Sequence, residues 1–94
     1  MTDYQAFCEQ NKEKLQFKMM RCINDKTMRE SYVIETNVLC DGNNYYIAKE
    51  PVNVHFKRRD FRRRVAMLSK LLGRKPRLSA TSNDLGYTRL IYKF

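Results

Sequence analysis

Phe61, Val65, Leu68 and Leu72 recur at steps of four, three and four residues, which stacks their side chains on one face of a helix. Half of the positions between them are Arg or Lys, so this helix has a single apolar face. A helix of that kind is stable only when its stripe lies on a core supplied by the rest of the chain. Its limits are marked as well. Asp60 stands where it can cap the first turn or complement its dipole, Gly73 can take the left-handed conformation that ends a helix, and Pro76 forbids continuation. Whatever the fold, it must present one surface to this helix and leave the opposite side of the helix in water.

Upstream, Thr2 and Gln5 are spaced as a capping box, and Tyr4, Phe7, Cys8, Asn11, Leu15, Met19, Cys22 and Ile23 follow at three- and four-residue steps. The pattern predicts an amphipathic helix running to Ile23 or Asn24. Polar residues 24–30 interrupt it. From Ser31 the period drops to two, with Tyr32, Ile34, Thr36, Val38 and Cys40 on one face and Val33, Glu35, Asn37 and Leu39 on the other. Asp41-Gly42-Asn43-Asn44 is a turn sequence, so residues 45–49 are expected to return as the partner strand of a hairpin, with one of the adjacent Tyr45 and Tyr46 pointing outward. After Pro51, residues 52–56 alternate again and read either as a short edge strand or as an extended lead into the helix.

Beyond Pro76, residues 77–81, the turn 82–86 and residues 87–94 read as a second hairpin. Leu90, Tyr92 and Phe94 fall on one face of its last strand, and Tyr87, Arg89, Ile91 and Lys93 on the other. The order is α-β-β-(β)-α-β-β. At 94 residues this is a small single α+β domain spanning 1–94, most simply an antiparallel sheet with the two helices packed on one face and the other face partly open.

No apolar run is long enough for a membrane span, and residues 1–5 lack the basic start and apolar stretch of a signal peptide. Cys8, Cys22 and Cys40 are odd in number and show no Cys-x-x-Cys spacing, which indicates reduced thiols rather than a disulfide framework or a zinc site. A cytoplasmic or nuclear protein is expected, neither secreted nor membrane-bound. Catalysis has little to draw on. His55 is the sole imidazole, no Gly-rich phosphate loop occurs, and the carboxylates are scattered rather than paired. The expectation is a protein without catalytic residues, cofactor or metal.

Charge is the informative feature. The formal balance is +9, but residues 1–56 hold seven basic and eight acidic side chains, a net of −1, while residues 57–94 hold twelve and two, a net of +10. Ten of the basic groups fall within residues 57–77, opposed only by Asp60. At about 100° per residue from Phe61, Val65, Leu68, Leu71 and Leu72 fall within about 80° of it, while Arg59, Arg62, Arg63, Ala66 and Lys70 fall opposite, between about 100° and 200°. Arg64 lies near the apolar boundary, placed to snorkel or to pair with a carboxylate. A basic ridge with small Ala66 on it would admit a sugar-phosphate backbone and let the arginines fork onto phosphate oxygens. Lys57-Arg58-Arg59-Asp60-Phe61-Arg62-Arg63-Arg64 reads equally as a nuclear import signal or as a solvated face.

These features point to nucleic acid, RNA or single-stranded DNA ahead of duplex, because a hairpin separates the two helices and leaves no helix-turn-helix. The residues expected to contact it are Lys57, Arg58, Arg59, Arg62, Arg63, Lys70, Arg74, Lys75, Arg77, Arg89 and Lys93, with Tyr87 as a ring on which a base can stack. The alternative is a protein-interaction module, whether inhibitor, adaptor or ribonucleoprotein subunit, that docks the same helix on an acidic partner. An exposed sheet edge could also support a homodimer. The layout of Arg62-Arg63-Arg64-Val65 opening a helix, Gly73 closing it, Leu78-Ser79 starting a strand and Arg89-Leu90-Ile91 in the last strand resembles, over about a third of the chain, part of the domain family named for an arginine and a histidine separated by three residues. That resemblance implies binding of single-stranded nucleic acid; the position of the family's histidine holds Ala66 here.

Overall fold

The computed structural model describes residues 2–94. Its first element forms as the capping box predicts. Thr2 Oγ1 accepts from the Gln5 backbone N–H at 3.1 Å and Gln5 Oε1 accepts from the Thr2 N–H at 2.9 Å. The helix is much shorter than the spacing implied, however. Helix α1 covers only Asp3–Gln10, a single 3-10 turn follows at Lys12–Lys14, and strand β1 occupies Phe17–Asn24. Asn11 closes the helix, because its side-chain amide donates to the Phe7 carbonyl at 2.8 Å and its backbone N–H is shared between the Phe7 and Cys8 carbonyls.

The misreading of residues 17–24 has a physical cause. β1 is the central strand, with Met19 and Met20 buried on opposite faces. A strand buried on both sides carries apolar residues at both parities, a pattern that periodicity cannot separate from a helix.

Strand β2 spans Glu30–Asp41 and turns through Gly42, at φ +62°, into strand β3, Asn44–Phe56. The two segments predicted here, 45–49 and 52–56, are one strand. Its register jumps from Thr36↔Val52 to Val38↔Ile47, so residues 48–51 bulge out of the ladder and the missing N–H of Pro51 breaks no pairing. Helix α2, Arg58–Leu72, ends where predicted but starts two residues before Asp60. Gly73 ends it at φ +68°, with the Arg74 N–H donating to the Ser69 carbonyl at 3.1 Å. Lys57 holds the N-cap position without a side-chain bond, and Asp60 lies in the first turn. The second hairpin is longer in strand and tighter in turn than expected. Strands β4, Arg77–Asp84, and β5, Tyr87–Lys93, are joined by Leu85 and Gly86 alone, both at positive φ.

The strands form one antiparallel sheet in the order β3-β2-β1-β5-β4, and α2 carries the chain from one edge to the other. Both helices pack on the same face. Phe61 of α2 meets Tyr32 with ring centroids 5.2 Å apart, while Tyr4 and Phe7 of α1 meet Tyr45 at 5.6 and 5.8 Å. Register places Met19, Ile34, Val54, Leu90 and Tyr92 on this face too. Cys8, Met19, Ile34 and Leu68 are its fully buried side chains, which confirms the stripe read in α2. Buried Asn37 ties the segment after α1 to β2, donating to the Lys14 carbonyl at 2.7 Å and accepting from the Gln16 N–H at 2.9 Å. The other face carries no helix. Across it run Val33, Met20 and Ile91, with Lys18 and Glu35 paired at 3.4 Å alongside. Among the described residues, no helix is long and apolar enough to cross a membrane.

Candidate nucleic-acid interface

The outer side of α2 emerges as its phase implies. Lys57, Arg58, Arg59, Arg62, Arg63, Ala66 and Lys70 are all exposed, whereas Phe61, Val65 and Leu72 turn inward around buried Leu68. The ion pairs among the described residues are Lys12–Glu9, Lys18–Glu35 and Arg21–Glu30. None involves any of the twelve basic residues from Lys57 onward. Like charges three and four residues apart, such as Arg59 with Arg62 and Arg63, repel by about 0.2–0.5 kcal/mol a pair. The ridge is therefore a cost to the free protein that an anion would relieve.

Arg64 is half-buried and finds no carboxylate. Its guanidinium lies 3.9 Å from the Tyr4 ring centroid and 5.6 Å from that of Phe56, so it serves as a bracket between α2, α1 and β3. Burial is the main reason that the Tyr4 hydroxyl is pushed up to about 12, with the neighbouring Cys8 adding to it and Arg64 opposing. Burial likewise raises the Cys8 thiol. Cys22 is half-buried, Cys40 is exposed, and all three thiols are free.

The remaining expected contacts fall elsewhere. Arg74, Lys75 and Arg77 surround a hollow of about 490 Å³ with Phe94, at the end of the sheet where α2 finishes. Arg77 faces Lys93 directly across the β4–β5 ladder, an arrangement of like charges that destabilises a sheet. Tyr87, Arg89 and Lys93 share one side of β5, as read from the sequence. Their register with Asn24 and Cys22 puts that side on the open face, opposite to the helices. The twelve expected residues thus divide between the outer surface of α2 and the open face of the sheet, with Arg74, Lys75 and Arg77 between them. Tyr46 is exposed while Tyr45 packs on α1, so one of the pair does point outward. His55 is an exposed strand residue across from Val33.

Sequence reasoning gave no role to the turns at one end of the open face. Tyr87 separates two hollows there, one of about 350 Å³ shared with Ser82, Leu85 and Arg89, the other of about 610 Å³ shared with Asn24, Thr27 and Arg29. The signal was present in Leu85, an apolar residue standing before Gly86 where a two-residue hairpin favours Asn or Asp.

No family model matches the chain, and no curated protein or solved structure matches it either.

Proposed function

We propose that the protein is a non-enzymatic nucleic-acid-binding domain that takes RNA or single-stranded DNA. The observation that carries this reading is the exposed outer face of α2, where Lys57, Arg58, Arg59, Arg62, Arg63 and Lys70 project with no ion-pair partner. Unpaired, closely spaced guanidinium groups favour phosphate oxygens, which accept two parallel hydrogen bonds from one Arg. Single strands are favoured over duplex by the distribution of the basic groups. A duplex has a persistence length of about 50 nm and cannot follow a surface that passes from the helix layer, past Arg74, Lys75 and Arg77, to Arg89 and Tyr87 on the opposite face. A flexible strand can.

If about four to six phosphates are neutralised, the logarithmic dependence of affinity on salt has a slope near −3 to −4 for a single strand and near −4 to −5 for a duplex. Replacing Arg62 and Arg63 together by Ala is expected to flatten that slope by about one to two units and to weaken every sequence alike, since phosphate contacts position without specifying. Binding of labelled single-stranded and duplex RNA and DNA across a salt series reads both quantities. Absence of binding to all four at physiological salt, with the double variant losing an acidic protein in its place, would replace this reading by a protein-docking one.

A further inference from the structure

Among the described residues, Met28 and Leu85 are the only non-glycine residues at positive φ, +60° and +53°. They are also the two most exposed large apolar side chains, at 68% and 90%. Each is thus doubly unfavourable in the free protein, in backbone conformation and in exposure. They lie in adjacent turns, Met28 between β1 and β2 and Leu85 between β5 and β4, on strands paired to each other. The turns are fastened together. The Asp25 N–H donates to the Gly86 carbonyl at 2.9 Å, and the Asp25 carboxylate accepts from Asn83 Nδ2 at 2.8 Å and Thr88 Oγ1 at 2.7 Å. Asn24 holds the first turn from within, its side-chain oxygen accepting from the Lys26 and Thr27 N–H groups at 3.0 Å and its carbonyl from the Met28 N–H at 2.7 Å. Strain held this firmly, at a position that gains nothing from it in the free protein, is characteristic of a contact surface.

The charges around these turns identify what is contacted. Of the acids around these turns, Asp25 is held by Asn83 and Thr88 and Glu30 by Arg21 and Tyr32, which leaves exposed Asp84, beside Leu85, as the one without a bond. Lys26, Arg29 and Arg89 are exposed and in no ion pair. The start of α2, with Lys57 and Arg58, lies at the same end of the sheet, because Phe56 pairs with Tyr32 and Tyr32 bonds Glu30. Between the apolar tips and these cations stands the Tyr87 ring, with a hollow on either side. We infer that Leu85 and Met28 are wedges that enter the base stack of a bound strand, while Tyr87 stacks on a base so exposed and the surrounding cations hold the phosphates. The inference rests on the nucleic-acid reading above and adds to it the mode of engagement, which is insertion between bases rather than backbone contact alone.

The test uses a single-stranded oligonucleotide carrying 2-aminopurine, whose fluorescence rises when it is unstacked, with affinity measured in parallel by anisotropy. The unaltered protein is expected to bind and to raise the fluorescence severalfold. Leu85→Asn suits the left-handed turn, so it is expected to raise the melting temperature, abolish the fluorescence rise and weaken binding about tenfold, with the salt slope unchanged. Met28→Gly should act in the same direction. The Arg62 and Arg63 double variant should instead flatten the slope and keep the rise at saturation. Binding by the unaltered protein without a rise, or a Leu85→Asn variant that keeps it, would overturn the wedge and leave the nucleic-acid reading standing. No binding at all would overturn both.

Discussion

The two sides of the sheet are built on different terms. On β1, β2 and β3 both helices lie against one face, and there the chain buries Met19, Ile34 and Leu68 completely. At the far edge every residue of β4 is exposed, Leu78 included at 54%. That strand is held by its ladder to β5 and by the Asp25 carboxylate, not by a core. An element that gains little from burial is free to carry side chains chosen for contact, and the strained tip at Leu85 occurs on this bare hairpin. An open edge also invites pairing with another strand; here a register shift between Leu78 and Ala80 interrupts it.

The sharpest way to break this contrast is to truncate one leucine on each side. Leu68→Ala is expected to cost about 2–5 kcal/mol out of a total of about 5–14 kcal/mol for a domain of this size, and to lower the melting temperature by upwards of about 8 °C. Leu78→Ala should stay within about 0.5 kcal/mol. Equal losses would mean that the hairpin shares the core after all.

A second probe addresses the covered side alone. The Tyr4 hydroxyl ionises from pH 10 in the unfolded chain but only near 12 in the folded one. Between those values the unfolded state sheds its proton first, so stability should fall as pH rises from 10 to about 12, and then level off. Denaturant unfolding across that window reads the fall, and Tyr4→Phe should flatten it. Fall and slope alike in both proteins would show that Tyr4 is not held between Arg64 and the α1 core.

On the bare side, Asp25→Ala should cost about 1 kcal/mol and act locally. Amide exchange in β4 and β5 is expected to accelerate well beyond that in β2 and β3; uniform acceleration would refute the idea that Asp25 fastens the hairpin. The smallest effect concerns Glu30, whose carboxyl is held down at about 2 first by its bond from Arg21 and then by that from Tyr32. A depressed folded value stabilises above the unfolded one, so this contribution is present above about pH 4.5 and is lost as pH falls toward 2. Because the group faces solvent, Glu30→Gln should change the acid limb of the stability profile only slightly.

The candidate site was legible in proportion to how local its determinants are. The α2 ridge followed from spacing alone, because a helix converts sequence separation into angle without help from the rest of the chain. Tyr87, Arg89 and Lys93 were correctly placed on one side of a strand for the same reason. Which face of the molecule that side occupies was not legible, since it depends on the pairing of β5 with β1, residues that lie more than sixty positions apart. Arg64 was placed at the boundary, yet its ring partners come from α1 and β3 and could not be foreseen.

What the amino-acid sequence determined by itself is the set of local decisions. It set the end of α2 through Gly73, the turn at Gly42, the alternation of β2 and the one-sided charge of residues 57–94, each of which depends on backbone preference or spacing within a few residues. Only the tertiary structure decided that residues 17–24 are a strand, that β1 sits at the centre of the sheet, and that the basic residues divide between two faces. Those outcomes depend on burial, which is gained only when distant segments meet. Met19 and Met20 carry the same information in a helix as in a central strand until β2 and β5 close on either side of them.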